Sequence, residues 1–333
     1  MKKVISLLLV FTLILTFAAC GTNKPAEESS TEAPSNEYTP VEMRVAGLSG
    51  PTGVGMVKLW SNQDAGSAKN KYSFSLVSDP TEISSGLISG SYDIAACPVN
   101  MASVLYNKLE GNLQVLAINT KGVLYILENG NTINSIADLA GKTLYATGQG
   151  STPEYILNYI LEKNGLANKV KVEYKSTHDE LAALTAAGEV SISMLPEPKV
   201  TATLMQNSQV RVALNLTEEF EKISGLTLVQ GCIVAKKDFI EKNADAIKVF
   251  LEEYKASVEF ANASVEETAA LCEQYGVIPK AAMAKKAIPN CNIAFIDGAD
   301  MKASVAANLQ LFFDADPKSV GGKMPDDAFY YGA

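Results

Sequence analysis

Residues 42–60, EMRVAGLSGPTGVGMVKLW, contain the pattern on which the fold prediction rests. A short apolar strand, Met43–Ala46, leads into a glycine-rich loop, and the loop leads into a helical stretch, Gly53–Trp60. Short apolar strands continue to alternate with amphipathic helices along the chain from Glu42 onward. This alternation predicts an α/β fold with mostly parallel strands. Trp60 lies at helical spacing from Met56, which favours a core position.

Two β-rich segments divide the alternating pattern. Val123–Leu127 leads into a second set of strands and helices, and Leu226–Ala235 leads out of it, after which only helical patterns follow. We therefore predict two α/β lobes joined by two crossing strands, with a ligand cleft between them and a hinge at the crossings. Lobe I comprises residues 42–125 and 226–333, and lobe II comprises residues 126–225.

The N-terminal stretch has the pattern of a targeting signal. Lys2 and Lys3 precede an apolar run, Val4–Phe17, which ends in small residues before Cys20. A charged start, a short apolar run and a small-residue cleavage site predict a signal peptide over residues 1–19. The alternative is an uncleaved N-terminal anchor helix. In either case we expect the rest of the chain to lie outside the cytoplasm, held at a membrane.

The segment after the apolar run predicts a tether. The run resembles a bacterial lipobox, with Cys20 as the lipidated first residue. Residues 20–41 are rich in Ser, Thr, Glu, Pro and Asn and nearly free of large apolar side chains, so they predict a flexible linker. A lipid tether on the extracytoplasmic face favours a Gram-positive type of cell, which has no outer membrane to retain a free protein.

Composition excludes one large class of partners. The chain of 333 residues has a net charge of −9, and its only arginines are Arg44 and Arg211. A chain this acidic has no basic stripe to follow phosphates, so we expect no nucleic-acid partner. No second apolar run approaches the length of a membrane span. We expect a soluble, monomeric body with a large core.

The cysteines and the single histidine predict no metal site and no cofactor. Cys97, Cys232, Cys272 and Cys291 show no CxxC spacing. They are either buried free thiols or include a bridge between Cys272 and Cys291. His178 has no clustered partner, which argues against zinc.

Two predicted loops place glycines and hydroxyls immediately before a helix. In open α/β sheets ligands bind beyond the carboxyl ends of the strands, and free N–H groups at helix starts favour an anionic or strongly polar acceptor group. The lack of a nearby arginine other than Arg44 argues against a dianion such as a phosphonate. A tight turn would use similar residues. The candidate ligand contacts are Ser49, Gly50, Pro51 and Thr52 in the first loop, and Gln149, Gly150, Ser151 and Thr152 in the second.

Further candidates lie in two other loops and near the first crossing. Pro98 and Asn100 follow a predicted strand, and Asn100 is either a helix N-cap or a ligand contact. Glu197 stands between two prolines, so we expect its carboxylate to be presented rather than paired locally, and to accept hydrogen bonds from a ligand amine, hydroxyl or ring N–H. A surface turn is the alternative. Tyr125 is either an aromatic wall of the cleft or a core residue.

Four segments keep their order and spacing along the chain: residues 92–96 (YDIAA) followed by Pro98, 136–143 (IADLAGKT), 188–190 (GEV) leading to 195–198 (LPEP), and 233–240 (IVAKKDFI). Together they resemble one family, the substrate-binding proteins of ABC importers of the nitrate, taurine, aliphatic-sulfonate and thiamine-precursor type. The resemblance spans roughly residues 42–262. It implies a type II periplasmic-binding fold, in which two α/β lobes close over a ligand, and a permease with its ATPase as partners. Relatives often carry Asp and Trp before the Glu-Pro pair, whereas this chain has Ser191, Ser193 and Met194, so their ligands are not carried over.

The predicted function is therefore capture of a small molecule. We expect a lipid-anchored binding component without catalytic residues, and a zwitterionic, aromatic or sulfonate-like polar ligand. One alternative is a ligand-sensing lobe without transport. Another is an enzyme such as a pyrimidine synthase on the same scaffold, although that chemistry is associated with a histidine donor and a cysteine-rich motif, and His178 is alone here.

Overall fold

Two β-sheets organise residues 38–333, the part of the chain that the computed structural model describes. The first sheet has the order β11-β4-β10-β3-β1-β2, and the second has the order β7-β6-β8-β5-β9. The predicted signal peptide over residues 1–19, Cys20 and the predicted linker up to residue 37 lie outside the described residues. The strands, in chain order, are β1 (Glu42–Leu48), β2 (Lys71–Val77), β3 (Ile94–Pro98), β4 (Gln114–Lys121), β5 (Leu124–Asn129), β6 (Thr143–Ala146), β7 (Lys171–Tyr174), β8 (Ile192–Pro196), β9 (Val210–Asn215), β10 (Val229–Ala235) and β11 (Ile293–Ile296).

Helices alternate with these strands and follow them at the C-terminus. Among the described residues, none of the helices is both long and apolar enough for a membrane crossing. The helices are α1 (Pro51–Val54), α2 (Val57–Asp64), α3 (Pro80–Ser89), α4 (Val99–Lys108), α5 (Thr152–Lys163), α6 (His178–Ala186), α7 (Lys199–Gln206), α8 (Leu216–Ser224), α9 (Lys237–Lys242), α10 (Ala244–Ala263), α11 (Val265–Gln274), α12 (Ala281–Ala287) and α13 (Gly298–Ala315).

The order of the strands divides the chain between the sheets. The first sheet takes β1–β4, β10 and β11, and the second takes β5–β9. The chain therefore crosses between β4 and β5 and returns before β10, and β5 begins at Leu124, ahead of the predicted boundary after residue 125. We refer below to the units built on the first and second sheets as lobe I and lobe II. The predicted α/β class is confirmed.

The sheets are mixed, which corrects the prediction of mostly parallel strands. β1 pairs in parallel with β2 and β3, and β6 pairs in parallel with β7 and β8. By contrast, β10 runs antiparallel to β3 and β4, and β5 runs antiparallel to β8 and β9. β5 and β10, the first strands after the two crossings, enter their sheets from the side of the other lobe, so they run antiparallel to their neighbours.

Helix α10 illustrates how the sequence builds the core of lobe I. Phe250, Tyr254 and Val258 recur every four positions, which places them on one face of a helix. All three are buried, and they pack in one apolar cluster with Trp60. The predicted core position of Trp60 is confirmed.

Three local predictions were wrong. The stretch predicted as one helix, Gly53–Trp60, is broken into α1 and α2 near Gly55, where a Cβ would stand 3.1 Å from the Tyr254 hydroxyl and 3.0 Å from Val258 Cγ2. The C-terminal part is not purely helical, because Ile293–Ile296 forms β11 beside β4. Finally, no helix was predicted over Leu216–Ser224, the residues of α8.

The cysteines in the described residues are buried and free. Cys97, Cys232, Cys272 and Cys291 are each inaccessible to solvent. Burial raises the pKa of the Cys272 thiol to about 12. Of the two interpretations of these residues, the structure has the buried free thiols and not a bridge between Cys272 and Cys291.

Replacement of Gly122 by alanine tests the close packing at the first crossing. A Cβ on Gly122 would stand 2.1 Å from Thr217 Oγ1 and 2.7 Å from Leu228 Cδ2, and both neighbours are buried. We expect this overpacking to lower the free energy of unfolding by about 1–3 kcal/mol, measured by urea denaturation. As a control, Thr217→Ser keeps the hydroxyl and should cost about 1 kcal/mol or less. Wild-type stability of Gly122→Ala would mean that the crossing tolerates an extra methyl group.

Candidate functional site

Loops of the two lobes meet beyond the carboxyl ends of the parallel strands. A Cβ on Gly50, which follows β1, would stand 3.6 Å from Pro198 Cδ, which follows β8. Asn100, in the first turn of α4, accepts a hydrogen bond through Oδ1 from Thr152 Oγ1, at the start of α5, at 2.8 Å. Both side chains of that pair are buried. Two pairs of predicted loops are thus in contact across the lobes.

The structure places Asn100 inside α4 and not at its N-cap. Pro98, which is half-buried, is the N-cap residue of α4, and it makes no side-chain cap. Asn100 lies inside the helix, and its Nδ2 donates to the carbonyl oxygen of Ser319 at 3.3 Å. The amide is therefore held by lobe I while its oxygen faces lobe II.

The other residues of the first glycine loop contact lobe I. The exposed Ser49 hydroxyl lies 3.3 Å from the Ser78 hydroxyl, beside the end of β2. Pro51 and Thr52 are half-buried in α1, and the Thr52 carbonyl oxygen accepts a hydrogen bond from Asn119 Nδ2 at 3.1 Å. In this loop, Gly50 is the predicted residue that lies against lobe II.

The second glycine loop satisfies much of its own hydrogen bonding. Gln149 and Gly150 are exposed, and the Gly150 N–H donates to Glu154 Oε2 at 2.6 Å. The Ser151 hydroxyl donates to the Gly148 carbonyl oxygen at 2.6 Å. Gln149, Gly150 and Ser151 therefore take no part in the hydrogen bond that joins Asn100 to Thr152.

Glu197 is buried, and the prediction that its carboxylate lacks a local partner was wrong. Its side chain accepts hydrogen bonds from the Thr201 N–H at 3.1 Å and from Thr201 Oγ1 at 3.0 Å. Thr201 lies in the first turn of α7, where N–H groups have no partner within the helix. Burial raises the pKa of Glu197 to about 7, although hydrogen bonds from Thr201 and the Asn290 side chain oppose that rise.

Tyr125 of lobe II and Asn290 of lobe I lie beside the same carboxyl group. Tyr125 lies on β5 and is buried. Its hydroxyl donates a hydrogen bond to the Asn290 carbonyl oxygen at 3.2 Å. Burial, followed by the nearby Glu197, raises the pKa of the Tyr125 hydroxyl to about 12. Asn290 belongs to a short 3-10 helix, Ile288–Asn290, that precedes β11. Glu197 and Tyr125, both buried, thus meet the exposed Asn290 at the boundary between the lobes.

Sequence reasoning missed three residues that build this arrangement. Thr201 was detectable, because a side chain four positions after Glu197 lies one helical turn away. Asn119 and Asn290 carried a weaker signal, a polar amide in an otherwise apolar segment. Their contacts join positions far apart in the chain, so spacing alone could not reveal them.

Neither arginine reaches the meeting loops. Arg44 Nη2 lies 2.5 Å from Asp93 Oδ1, beside the amino ends of β1 and β3. Arg211 Nη2 lies 2.6 Å from Glu128 Oε2, at the end of β5 remote from the crossing. These ion pairs occupy the opposite ends of the sheets. The loops therefore meet around a buried carboxyl group without an arginine.

Other polar features make no hydrogen bond to Glu197, Tyr125 or Asn290. The His178 ring accepts or donates a hydrogen bond at Nδ1, 2.5 Å from Thr147 Oγ1, and burial followed by nearby Lys199 lowers the pKa of the ring. A surface pocket of about 400 Å³ is lined by Glu128, Thr143 and Ser191, among others, at the end of the second sheet remote from the loops. Within residues 38–333, no group of three or more His, Cys, Asp or Glu side chains is arranged to hold a metal ion.

Comparison with known proteins finds one family model that matches part of the chain. Residues 107–268 match the family model described as NMT1/THI5 like. Over these residues the chain is similar to that family. The matched residues take in the whole second sheet, β10 and α10, so the domain model spans both crossings. No curated protein sequence gives a significant match.

Solved structures are similar to the chain over more than residues 107–268. An ABC transporter from Parabacteroides distasonis is 26% identical, with 86% of this chain and 98% of that chain covered, at a TM-score of 0.74. The periplasmic aliphatic sulphonate binding protein SsuA from Escherichia coli is 20% identical, with 85% and 96% covered, at a TM-score of 0.70. The periplasmic nitrate-binding protein NrtA from Synechocystis is 13% identical, with 76% and 69% covered, at a TM-score of 0.55. These neighbours have the type II periplasmic-binding fold, and the resemblance predicted from sequence is confirmed.

Proposed function

We propose that this protein is the lipid-anchored, extracytoplasmic substrate-binding component of an ABC importer. It captures a small polar molecule between lobe I and lobe II and delivers it to a membrane permease driven by an ATPase. The observation that carries the proposal is the meeting of buried polar side chains from both lobes, above all the hydrogen bond between Asn100 and Thr152. Side chains that hold each other across a cleft are positioned to hold a ligand when the lobes separate.

The resemblance to binding proteins supports transport. The solved neighbours include proteins named for binding aliphatic sulphonate and nitrate. The lipobox-like Cys20 supports a membrane tether that keeps the protein near its permease. The likeness of most of the chain to an ABC transporter from Parabacteroides distasonis supports the same partners.

The polar groups between the lobes favour a ligand with hydrogen-bond donors. Glu197 supplies acceptor oxygens, and Asn100 and Thr152 supply both kinds of group. The buried Tyr125 ring adds an apolar surface beside them. A zwitterionic or mixed polar compound with an amine or ring N–H fits this set best, and a sulfonate or carboxylate comes next.

Binding without turnover also agrees with the surroundings of the single histidine. His178 Nδ1 is engaged with Thr147, and Lys199 beside the ring pairs with Asp179. A general base needs a nucleophile or substrate within hydrogen-bond reach. The buried carboxyl group of Glu197 is likewise held by Thr201. We therefore propose a binding protein rather than an enzyme.

Ligand binding is tested first by melting temperature. A metabolite panel that includes amines, amino acids, N–H heterocycles and sulfonates is expected to contain a compound that stabilises the protein, by about 2.7 kcal/mol at a hundredfold excess over Kd. For an amine or N–H ligand, Glu197→Gln is expected to weaken binding about 10–100-fold, because hydrogen bonds to a charged group are the strong ones. Isothermal titration calorimetry measures the change.

A matched variant controls for the loss of one negative charge. Glu189→Gln changes an exposed carboxylate at the remote end of lobe II, so the affinity should stay at the wild-type value. A pure sulfonate should bind Glu197→Gln about as well as wild type. Equal affinity of wild type and Glu197→Gln for an amine would refute the role of Glu197, and a panel without any stabilising compound would count against capture itself.

A further inference from the structure

We propose that Glu197 is a proton-controlled contact between the lobes: the neutral carboxyl group permits the empty cleft to close, and the ionised carboxylate favours opening. The proposal rests on the two-lobe capture function. It concerns the ligand-free protein, and it adds a control by pH that the fold does not by itself imply.

The position of Glu197 couples its environment to lobe closure. The side chain is only 2% exposed, although it lies in a loop at the lobe boundary, between β8 and α7. On the lobe I side lies the exposed Asn290, whose carbonyl oxygen accepts from Tyr125 at 3.2 Å and whose side chain opposes the rise in the pKa of Glu197. The neighbouring Pro198 lies against Gly50 of lobe I. Separation of the lobes removes this cover and admits water to the carboxyl group.

No cation offsets the burial of this carboxyl group within the described residues. Both arginines are paired at the remote ends of the sheets. Lys199, on α7, pairs with Asp179 on α6. α12, which packs against α7, carries Lys285 and Lys286, and both side chains are exposed. A buried carboxylate with hydrogen bonds but without a countercharge is disfavoured relative to its neutral form.

Two titratable groups close to Glu197, Tyr125 and Cys291, stay neutral near pH 7. Tyr125, on β5, has a pKa raised to about 12 by burial and by Glu197. Cys291, which follows Asn290, has its thiol pKa raised well above the usual value by burial and then by Glu197. Glu218, on α8, also raises the pKa of Tyr125. His178, on α6, is not among the groups that shift the pKa of Glu197 and serves below as a control.

The sign of the effect follows from the two states. In the closed form burial raises the pKa of Glu197 to about 7, whereas an open cleft returns it toward its ordinary value of 4.5. The closed form therefore binds the proton more tightly, and the closed-to-open ratio is highest at low pH. As pH rises between these values, the ratio falls by up to about tenfold per unit. A ligand amine or N–H group would supply the hydrogen that neutral Glu197 otherwise carries.

The test measures the distance between the lobes in the empty protein. In a Cys20→Ser background, fluorescent dyes on Ser85→Cys, exposed on α3, and Lys163→Cys, exposed at the end of α5, report the lobe separation by energy transfer, since the native cysteines within residues 38–333 are buried. We expect the closed fraction to fall from pH 5 to pH 8 with a midpoint set by Glu197. Glu197→Gln should remove the pH dependence and remain closed. Thr201→Val should move the midpoint upward, because it removes a hydroxyl that stabilises the carboxylate.

Carbon NMR of the Glu197 carboxyl group, assigned with Glu197→Gln, provides a second measurement. Titration near pH 7 supports the proposal, whereas titration near 4.5 overturns it. A lobe distance that is independent of pH in the wild type, or a pH dependence that survives in Glu197→Gln or disappears in His178→Asn, also overturns it. None of these measurements uses a ligand. A protein that responds to pH but binds nothing in the metabolite panel therefore separates failure of the capture function from failure of this proposal.

Discussion

Phe250→Ala is expected to lower the free energy of unfolding by about 3–5 kcal/mol, the largest effect of any single apolar truncation that we predict. Phe250 is fully buried on α10. Its ring stacks on Tyr254 at 5.8 Å between centroids and lies 6.1 Å from Tyr72 on β2. Truncation removes these contacts and leaves a cavity between helix and sheet. Because whole domains are stable by only about 5–15 kcal/mol, a large fraction of the total is at stake.

Phe260→Ala is the matched control for Phe250→Ala. Phe260 lies on the same helix, but it is only half-buried, and its ring is contacted by Lys58 Nζ at 4.9 Å from the centroid. Loss of an exposed cation–π contact costs about 0.5–1 kcal/mol. Urea denaturation followed by circular dichroism measures both variants. If the two variants lost equal stability, burial on the inner face of α10 would not be what holds lobe I together.

Sequence alternation was sufficient to predict most elements of the fold. The short apolar run Thr143–Ala146 is enclosed by turn signals and predicts a strand with the observed bounds of β6. β11 was missed for a physical reason, since a four-residue apolar run such as Ile293–Ile296 fits a helix face as well as a strand. What makes it a strand is the open edge of β4. That edge exists only after the sheet has formed.

The candidate site was less predictable than the fold. Loop position could be predicted, because the carboxyl ends of parallel strands share one edge of a sheet. Asn100 and Thr152 were both candidates, but their hydrogen bond depends on the angle between the lobes, which no local pattern encodes. The surroundings of Glu197 were mispredicted because the two flanking prolines supply no N–H group, whereas the donors come from Thr201, one helical turn further along the chain. The ligand depends on such contacts, so family likeness does not supply it.

Arg211→Met is expected to lower the free energy of unfolding by about 2–4 kcal/mol at pH 7. Glu128 is 2% exposed, and it accepts hydrogen bonds from Arg211 Nη2 at 2.6 Å and from the Thr132 N–H and hydroxyl at 2.7 Å each. The same guanidinium donates through Nε to the Gly130 carbonyl oxygen at 3.1 Å. Methionine keeps the apolar stem but leaves a buried carboxylate without its countercharge. The loop after β5 also loses the hydrogen bond that Arg211 donates to Gly130.

The pH dependence identifies the charge as the cause. Burial raises the pKa of Glu128, but hydrogen bonds from Thr132, Ile133 and Arg211 together outweigh burial and lower it. Ionised Glu128 therefore stabilises the folded protein above its ordinary pKa, and this contribution is lost as pH falls through the lowered value. Urea denaturation from pH 3 to pH 7 should show a smaller gap between wild type and Arg211→Met at the acid end.

A double variant separates the cost of the unpaired charge from lost packing. Glu128→Gln with Arg211→Met removes both charges while the amide oxygen still accepts from Thr132. We expect the double variant to be more stable at pH 7 than Arg211→Met alone, because a buried pair replaced on both sides costs less than a pair broken on one side. If the losses of the two single variants simply add, the ion pair does not act as a unit, and the stability of lobe II near β5 must come from packing instead.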